Sequence, residues 1–249
     1  MIGVIYIMWL RQIKKYWRSK PRMIGSLGQP LLFLLALGFG FGPIYEKAGG
    51  GNYIDFLAPG VIAMSILFTA MFTGIEVIWD RQFGFLKETL VAPVSRTEIM
   101  IGRTLGGATV SMLQGIVVLV ICFFVGFRIT QFSLLPVALL FMFLIALLFT
   151  AFGTAIASQL EDMQAFPLIM NFIIMPIFFL SGALFPIQGI SKTLEIITWL
   201  DPLSYGVDGL RAALSGASHF GLFLDFGILS AITIIILFIG VYFFRKIQI

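Results

Sequence analysis

The charged residues of the chain are spaced so that long stretches without any charge lie between them. A helix rises about 1.5 Å per residue and the bilayer's hydrocarbon core is about 30 Å thick, so roughly 20 residues cross it. The neutral stretches are each 19 to 32 residues long, enough for one crossing and too short for two. Continuous apolar runs of this length favour helices over barrel strands. The pattern predicts an all-α integral membrane protein, a single transmembrane domain over 1–249 with six transmembrane helices. The stretches are 23–45, 56–75, 104–127, 129–160, 163–191 and 226–244.

The composition supports a membrane protein. Apolar residues make up 59% of the chain and charged residues 11%, against roughly 45–50% and about 25% in soluble domains. This excludes a cytosolic globular enzyme, a disordered segment and a secreted disulfide scaffold. The single cysteine, Cys122, excludes an intrachain disulfide, and together with His219 it cannot supply a four-ligand zinc site. The net charge of +4 is typical of basic flanks around membrane helices rather than of nucleic-acid binding.

The distribution of Lys and Arg predicts which side of the membrane each loop faces. With both termini in the cytoplasm, twelve basic residues lie on the cytoplasmic side and only four lie outside. The turn 159–162 is acidic and carries little weight in this rule. The sequence therefore predicts a multi-pass protein of the cell (inner or cytoplasmic) membrane with both termini cytoplasmic. The outside residues are Lys47, Arg128, Lys192 and Arg211.

Residues 1–22 predict an amphipathic helix lying along the cytoplasmic surface of the membrane. At about 100° per residue, basic and apolar residues fall on opposite sides of the helix. Trp and Tyr prefer the headgroup level, and the basic arc can meet anionic lipid. An ordinary amphipathic helix packed on a soluble core is the alternative. The basic arc holds Arg11, Lys14, Lys15 and Arg18, and the apolar side holds Ile2, Ile5, Trp9, Ile13 and Tyr16.

The segment 76–103 is predicted to form a cytoplasmic loop between the second and third spans. Its periodicity predicts a helix up to Ala92, a break at Pro93 and a second helix capped by Ser95. Glu98 stands at the capping-box position of that second helix. The charges of this protrusion alternate in sign, which fits a solvated face and a protein contact equally well.

The segment 182–225, on the outside, contains two short helical patterns, at 191–200 and 202–214. Asp201 and Pro202 predict an N-cap followed by proline at the first helical position. The segment is too apolar for a water-exposed loop, so a re-entrant helical hairpin dipping into the outer leaflet is expected. Asp208 and Arg211 stand three residues apart and are expected to pair on it.

The sequence lacks the motifs of an ATPase and the intramembrane charges of an ion-coupled transporter. Gly is never followed by Lys, so no Gly-x-x-x-x-Gly-Lys-Ser/Thr phosphate loop exists. The centres of the six stretches carry no ionisable residue. Gln114 and Asn171 are the strongest polar groups at depth, and each fits either a helix–helix hydrogen bond or a contact with a path. The energy for any pumping must therefore come from elsewhere.

Two segments outside the spans carry a family resemblance. They are residues 86–96 (LKETLVAPVSR), leading to Gly102 and Arg103, and residues 199–205 (WLDPLSY), followed by 208–211 (DGLR). In this order they resemble the characteristic segments of ABC-2 type exporter permeases, the daunorubicin-resistance-like drug exporters being the most similar group. The resemblance covers essentially the whole chain, and its motifs say little about the substrate.

The resemblance implies a transmembrane subunit, not an enzyme, whose ATPase is a separate polypeptide holding ATP and magnesium. No cofactor is then expected in this chain. Two such chains, identical or paralogous, would pair with two ATPase subunits, with membrane lipids as further partners and no nucleic acid. In this family the cytoplasmic protrusion is a coupling helix seated in a groove of the ATPase, which implies that role for residues 83–96, here named the knuckle. The coupling residues implied are Phe85, Lys87, Glu88, Thr89, Leu90, Pro93, Val94, Ser95 and Arg96.

The resemblance also implies a substrate path, because in related exporters the second and fifth spans line the central cavity. One face of each span carries flexible Met and aromatic side chains that suit varied apolar substrates, and Pro167 and Pro176 can bend the fifth span. Lipid-facing or core packing is the alternative for each of these residues. Phe185 is expected at an outer gate. The path residues are Met64, Phe68 and Phe72 on the second span and Asn171, Met175 and Phe178 on the fifth.

Small residues repeat every four positions on the third span at Gly107, Ser111 and Gly115. They allow another helix to approach closely, from a second copy or from the same chain. The expected function is ATP-driven export of hydrophobic or amphipathic, drug-like compounds across the cytoplasmic membrane. Export of a lipid-linked polysaccharide or other glycan is the alternative within transport, and a non-transporting membrane anchor for an ATPase is the alternative outside it.

Overall fold

The chain folds into helices joined by short turns. The computed structural model describes residues 2–48, 51–160, 162–187 and 191–247, and these ranges contain no β-strand. A 3₁₀ turn, Phe132–Leu134, precedes α6, and a π-helical turn, Met170–Ile174, joins α7 to α8. The α-helices are α1 (Ile2–Arg18), α2 (Lys20–Lys47), α3 (Tyr53–Gln82), α4 (Phe85–Val91), α5 (Arg96–Val125), α6 (Leu135–Gln159), α7 (Ala165–Ile169), α8 (Met175–Leu180), α9 (Lys192–Leu200), α10 (Pro202–Ser215) and α11 (Leu222–Arg245).

Within the described ranges, five helices are long and apolar enough to cross a membrane. They are α2, α3, α5, α6 with its 3₁₀ turn, and α11, and they match five of the six predicted stretches. The stretch 163–191 forms only the shorter apolar run Ala165–Leu180, after which the chain turns at Gly182 with φ at +71°. Pro176 has no N–H to continue an α-helical ladder, and the π-helical turn lies directly before it. Residues 188–190 of this stretch, like residue 161 of the acidic turn, lie outside the described residues.

Helix α3 lies at the centre of the bundle, with α2, α5, α6 and α10 packed around it. It packs closely on α6, where a Cβ added to Gly74 would lie 2.5 Å from the carbonyl carbon of Gly153. On α5, a Cβ at Gly107 would lie 2.6 Å from Cγ2 of Thr150 and 2.7 Å from Oγ1 of Thr73. The small-residue face of α5 is thus filled by α6 and α3 of the same chain. The within-chain alternative is correct, and this face no longer argues for a dimer.

Helix α1 packs on α5 along one side. Its residues Met8, Gln12 and Tyr16 are buried. Glycines on α5 form the groove that receives it: a Cβ at Gly102 would lie 2.7 Å from the carbonyl oxygen of Ile5. The predicted helix is present and its buried side includes Tyr16 from the predicted apolar side, while its position along the membrane surface stays a prediction.

The segment 182–225 contains two helices, α9 and α10, and α10 is buried along almost its whole length against α3, α6 and α11. The predicted N-cap is confirmed: Asp201 accepts a hydrogen bond from the backbone N–H of Leu203 at 2.9 Å, with Pro202 at the first position. Glycine at 209 lets the backbone of α10 lie directly against the ring of Phe141 on α6.

Asp208 and Arg211 both lie in the described range 191–247, and they do not form the predicted ion pair there. The Arg211 guanidinium donates to the carbonyl of Gly182 at 3.1 Å and lies 4.1 Å from the ring centroid of Phe56. The carboxylate of Asp208 instead fastens the turn after α10. It accepts hydrogen bonds from the Ser218 hydroxyl and from the backbone N–H groups of His219 and Phe220.

Asp201 gives a prediction about stability and pH. Burial raises the pKa of its carboxyl from 3.8 to about 7, against the opposing effect of the Leu203 N–H bond. Because the folded-state pKa is raised, the contribution of Asp201 to stability is fully present below about pH 4 and is lost as the pH rises through about 7. We expect Asp201→Asn, which keeps the cap, to flatten this fall in thermal unfolding measured in detergent. A variant whose pH profile parallels that of the parent would contradict the assignment.

Candidate functional site

Six charged side chains from four helices meet at one end of the bundle. Two come from α1, one from α2, two from α3 and one from α5, and both carboxylates are nearly inaccessible, Glu76 at 2% and Asp80 at 5% exposure. We name this group the charged junction. Its members are Arg11, Lys15, Arg22, Glu76, Asp80 and Arg103.

The carboxylate of Asp80 is held between two arginines. Arg11 on α1 donates two parallel hydrogen bonds to it, at 2.8 and 3.0 Å, and Arg103 on α5 donates one at 2.5 Å. Two-point contacts between guanidinium and carboxylate fix orientation as well as distance. Asp80 therefore joins α1, α3 and α5 at one point.

The carboxylate of Glu76, one helical turn earlier on α3, is also held between two cations. Arg22, at the start of α2, donates to one oxygen, and the ammonium of Lys15 lies 3.2 Å from the other. This second contact adds α2 to the helices that the junction ties together.

The charges of the junction do not cancel. Four cations surround two carboxylates, which leaves a net charge of +2. Burying a carboxylate is costly unless it is paired, and removing one partner of a buried pair typically costs about 3–5 kcal/mol. Here each carboxylate keeps one cation if the other is removed, so the junction tolerates the loss of a single contact better than an isolated pair would.

The predicted loop 76–103 begins later than expected, since α3 continues to Gln82 and carries Glu76 and Asp80 inward. A signal for this was present in the sequence. Glu76 and Asp80 stand four residues apart, and so do Arg11 and Lys15, so each pair lies on one face of its helix. Two helices with complementary charges at the same spacing can pair face to face.

Near the start of the knuckle lies Gly84, whose φ of +79° is in the left-handed region that favours glycine. This turn separates α3 from α4, a break that the helical periodicity did not reveal. The first residue of α4, Phe85, lies beneath Arg11, whose guanidinium carbon is 3.8 Å from the ring centroid. Leu86 is buried at 1% exposure and anchors α4 on the bundle. Arg11 therefore contacts both α4 and Asp80 on α3.

The outer side of the knuckle is exposed and partly apolar. Phe83 and Val91 are each 84% exposed, and Lys87, Glu88, Pro93 and Ser95 are also exposed. Thr89 is half-buried and donates back to the carbonyl of Phe85, and Leu90 and Val94 pack against the core. Sequence reasoning missed Phe83 and Val91, because only the structure shows that their side chains point away from the bundle.

The end of the knuckle is tied to the last helix. The helix α5 begins at Arg96 after Ser95, as predicted, but the Ser95 side chain makes no capping hydrogen bond. The guanidinium of Arg96 donates to the carbonyls of Arg245 and Ile247, at 2.7 and 2.9 Å. Arg96 is partly exposed and links the knuckle to the end of α11.

The predicted path residues differ widely in exposure. Met64 and Phe178 are fully buried, and Phe178 meets Phe68 edge to face, with ring centroids 6.2 Å apart. Phe72 is 47% exposed. The π-helical turn separates the fifth-stretch residues in exposure: Asn171 is exposed, whereas Met175 is half-buried. The structure thus brings Phe68 and Phe178 together and leaves Asn171 on the surface of this chain.

Phe185 lies at the opposite end from the charged junction. With Pro186 it lines a cavity of about 390 Å³, together with Tyr45 and Tyr53. The hydroxyl of Tyr53 donates to the carbonyl of Leu184 at 2.8 Å and holds this segment against α3.

Comparison with known proteins identifies the family. The sequence model of the ABC-2 type transporter family matches residues 3–215. This chain belongs to the ABC-2 type transporter family. It is therefore a multi-pass membrane protein and a transport permease, and its family implies an ABC ATPase subunit as partner.

Curated relatives agree with this membership. The chain is 28% identical over 224 residues to a putative transport permease ycf38 of Cyanophora paradoxa, covering 87% of this chain and 76% of the relative. It is 29% identical over 213 residues to Nodulation protein J of Rhizobium leguminosarum bv. trifolii, covering 85% and 78%. A Nodulation protein J of Neorhizobium galegae is 24% identical over 242 residues, covering 96% and 92%.

Proposed function

We propose that this chain is the membrane subunit of an ATP-driven exporter that moves hydrophobic or amphipathic compounds across the cytoplasmic membrane. The ATPase, with its ATP and magnesium, is a separate polypeptide, and two permease chains assemble with two ATPase subunits. The observation that carries this proposal is the contact of Arg11 with both Phe85 on the knuckle and Asp80 on the central helix.

That contact supplies a route for mechanical coupling. An ATPase subunit that moves the knuckle displaces Phe85, and Arg11 follows because it packs on the Phe85 ring. Arg11 is in turn held to Asp80 by two charged hydrogen bonds, and Asp80 lies on α3, around which the other spans pack. Movement of the knuckle is thereby transmitted to α3, the central helix of the bundle.

The exposed side of the knuckle is the proposed seat of the ATPase. Phe83 and Val91 supply apolar anchors, and Lys87 and Glu88 supply charges of both signs beside them. Large apolar side chains surrounded by polar groups are typical of interface centres. In this arrangement the charged junction faces the cytoplasm and Phe185 lies on the outer side, as the Lys and Arg distribution favours.

The run Ala165–Leu180, with the residues that follow it, is proposed to complete the set of six crossings, as the fifth in chain order. Its apolar helices are short, and a second permease chain or the turn at Gly182 would complete the passage through the outer leaflet. The proposed path runs between this run and α3, where Phe68 meets Phe178, with Phe185 at the outer gate.

Reconstitution tests the proposal. Vesicles containing the permease and its ATPase should accumulate an amphipathic dye only when ATP is supplied on the knuckle side. A lipid-linked oligosaccharide supplied instead of the dye tests the glycan alternative. An ATPase that binds the chain but drives no flux of either compound would leave the anchor role and overturn the exporter.

Reversal of charge at Glu88 should disrupt the seat of the ATPase. Glu88 is exposed on the outer side of α4, so Glu88→Arg leaves the bundle intact and places a cation beside Lys87. We expect ATP-driven transport, or assembly with the ATPase, to fall at least tenfold. A tenfold loss of affinity corresponds to about 1.4 kcal/mol of binding free energy. Glu46→Arg, an exposed position far from the knuckle, is the matched control. Full transport and assembly in Glu88→Arg would remove the knuckle from the coupling path.

A further inference from the structure

A cavity of about 350 Å³ lies between α1, α2 and α3, beside the charged junction. Its walls combine polar and apolar groups. Arg22, Tyr16 and Trp79 contribute polar groups nearest the charged junction, Ser26 and Thr69 contribute hydroxyls, and Phe72 and Ile75 contribute apolar surface. On the α2 side the wall includes Gly25, next to which a side chain would find nothing within 4 Å.

The polar end of the cavity has an excess of positive charge. Arg22 shares the carboxylate of Glu76 with Lys15, so two cations face one anion. The Lys15 ammonium also lies 5.9 Å from the ring centroid of Trp79. This end therefore attracts a further negative group.

In the described parts of the chain, the buried groups around this end without a hydrogen-bond partner include two donors and one acceptor, and the acceptor, Oε2 of Glu76, lies 3.2 Å from the Lys15 ammonium. The indole N–H of Trp79 is buried and has no hydrogen-bond partner among the described residues. Behind Tyr16, whose hydroxyl donates to the Gln114 side-chain oxygen, the Gln114 amide nitrogen is likewise buried and without a partner in that part of the chain. Buried polar groups are normally satisfied, so an acceptor-rich group is the complementary occupant.

The apolar end lies along α3 and opens outward past Phe72, which is 47% exposed. Both α2 and α3 are long enough to cross a membrane, so this opening faces the space between two spans. Inorganic phosphate would fill only the polar end, whereas a molecule with a hydrocarbon part would also cover Phe72 and Ile75.

We infer that this cavity binds an anionic amphiphile, with a phosphate or carboxylate head on Arg22 and Trp79 and its hydrocarbon part over Phe72 and Ile75. The occupant is either an anionic membrane phospholipid or the transported compound. Only the second identification rests on the proposed function, because binding itself needs no ATPase.

Binding of dodecyl phosphate to the purified chain in neutral detergent tests the inference, with dodecanol as the uncharged probe. A ligand of the folded state raises the unfolding temperature in proportion to its affinity and concentration. We expect dodecyl phosphate to stabilise saturably and dodecanol to have little effect. In Arg22→Gln the apparent Kd should rise about tenfold, the loss of one charged hydrogen bond, while Lys15 keeps Glu76 paired. Lys20→Gln, at an exposed position two residues away, is the matched control.

A second variant tests the cavity without altering charge. Gly25→Phe should fill the cavity and abolish binding, since nothing else occupies the space beside Gly25. Equal binding of dodecanol, or unchanged binding of dodecyl phosphate in both Arg22→Gln and Gly25→Phe, would overturn the site.

Competition with soluble short-chain phosphatidylglycerol distinguishes the two possible sources of the ligand. Displacement of dodecyl phosphate identifies a membrane lipid as the occupant, and no displacement identifies a single-chain anion of the transported class. Failed transport with intact binding overturns the proposed function alone, and intact transport without Arg22-dependent binding overturns this site alone.

Discussion

Replacing Arg11 by Gln should uncouple ATP hydrolysis from transport while leaving the fold intact. The substitution removes both hydrogen bonds to Asp80 and the packing on Phe85. Asp80 keeps its contact with Arg103, so no buried carboxylate is left bare. A hydrogen bond to a charged group contributes about 1.5–3 kcal/mol, and 1.4 kcal/mol corresponds to a factor of ten. We therefore expect at least a tenfold loss of transport per ATP hydrolysed in reconstituted vesicles.

Two variants make this measurement specific. Lys14→Gln removes an exposed charge from the same helix and should transport as the parent does. Arg11→Lys keeps the charge but loses the two-point contact, and should fall between the parent and Arg11→Gln. Identical coupling ratios in Arg11→Gln and Lys14→Gln would show that the knuckle acts on the spans by another route.

The other large effect is expected at Gly74, where α3 touches α6. A Cβ there would lie 2.5 to 2.8 Å from three backbone atoms of Gly153, and backbone cannot rotate away as a side chain can. Gly74→Ala must push the two helices apart, and overpacking of this kind typically costs about 1–3 kcal/mol, occasionally more. The unfolding temperature in detergent should fall by about 2–4 °C for each kcal/mol lost.

The same substitution elsewhere gives the control. Gly42→Ala, on α2, places a methyl group where nothing lies within 4 Å. It should leave stability unchanged or raise it slightly, since alanine favours a helix over glycine by up to about 1 kcal/mol. Equal unfolding temperatures for Gly74→Ala and Gly42→Ala would mean that α3 and α6 are not held as closely as the structure describes.

Much of the fold was predictable because a membrane imposes a length rule on apolar segments. Gaps between charges located five long helices, and the local chemistry of Asp201 and Pro202 located the start of α10. In the stretch 163–191 the helical run Ala165–Leu180 is shorter than the gap between charges, because it ends before the turn at Gly182. The spacing of charges shows which segments lack charge but does not show where a helix within them ends.

The charged junction was less accessible to sequence reasoning. Glu76 and Asp80 end an apolar stretch, and their partners on α1, Lys15 and Arg11, lie more than 60 residues away in sequence. Pairing over that distance depends on how α1 seats in the glycine groove at Gly102, which is a property of two helices together. The protrusion was predicted from helical periodicity and the break at Pro93, its coupling role was implied by the family resemblance, and its link to Arg11 required the structure.

The doubled cations of the junction have a consequence for how α1 can travel. If α1 shifted past a single buried ion pair, the carboxylate would be unpaired partway through the movement, at a high cost in free energy. Asp80 is also paired with Arg103, and Glu76 is paired with cations from two helices. One ion pair can therefore break and re-form while the other holds the carboxylate. Breaking one contact of either carboxylate therefore leaves that carboxylate paired, which lowers the free-energy cost of a shift of α1 relative to α3.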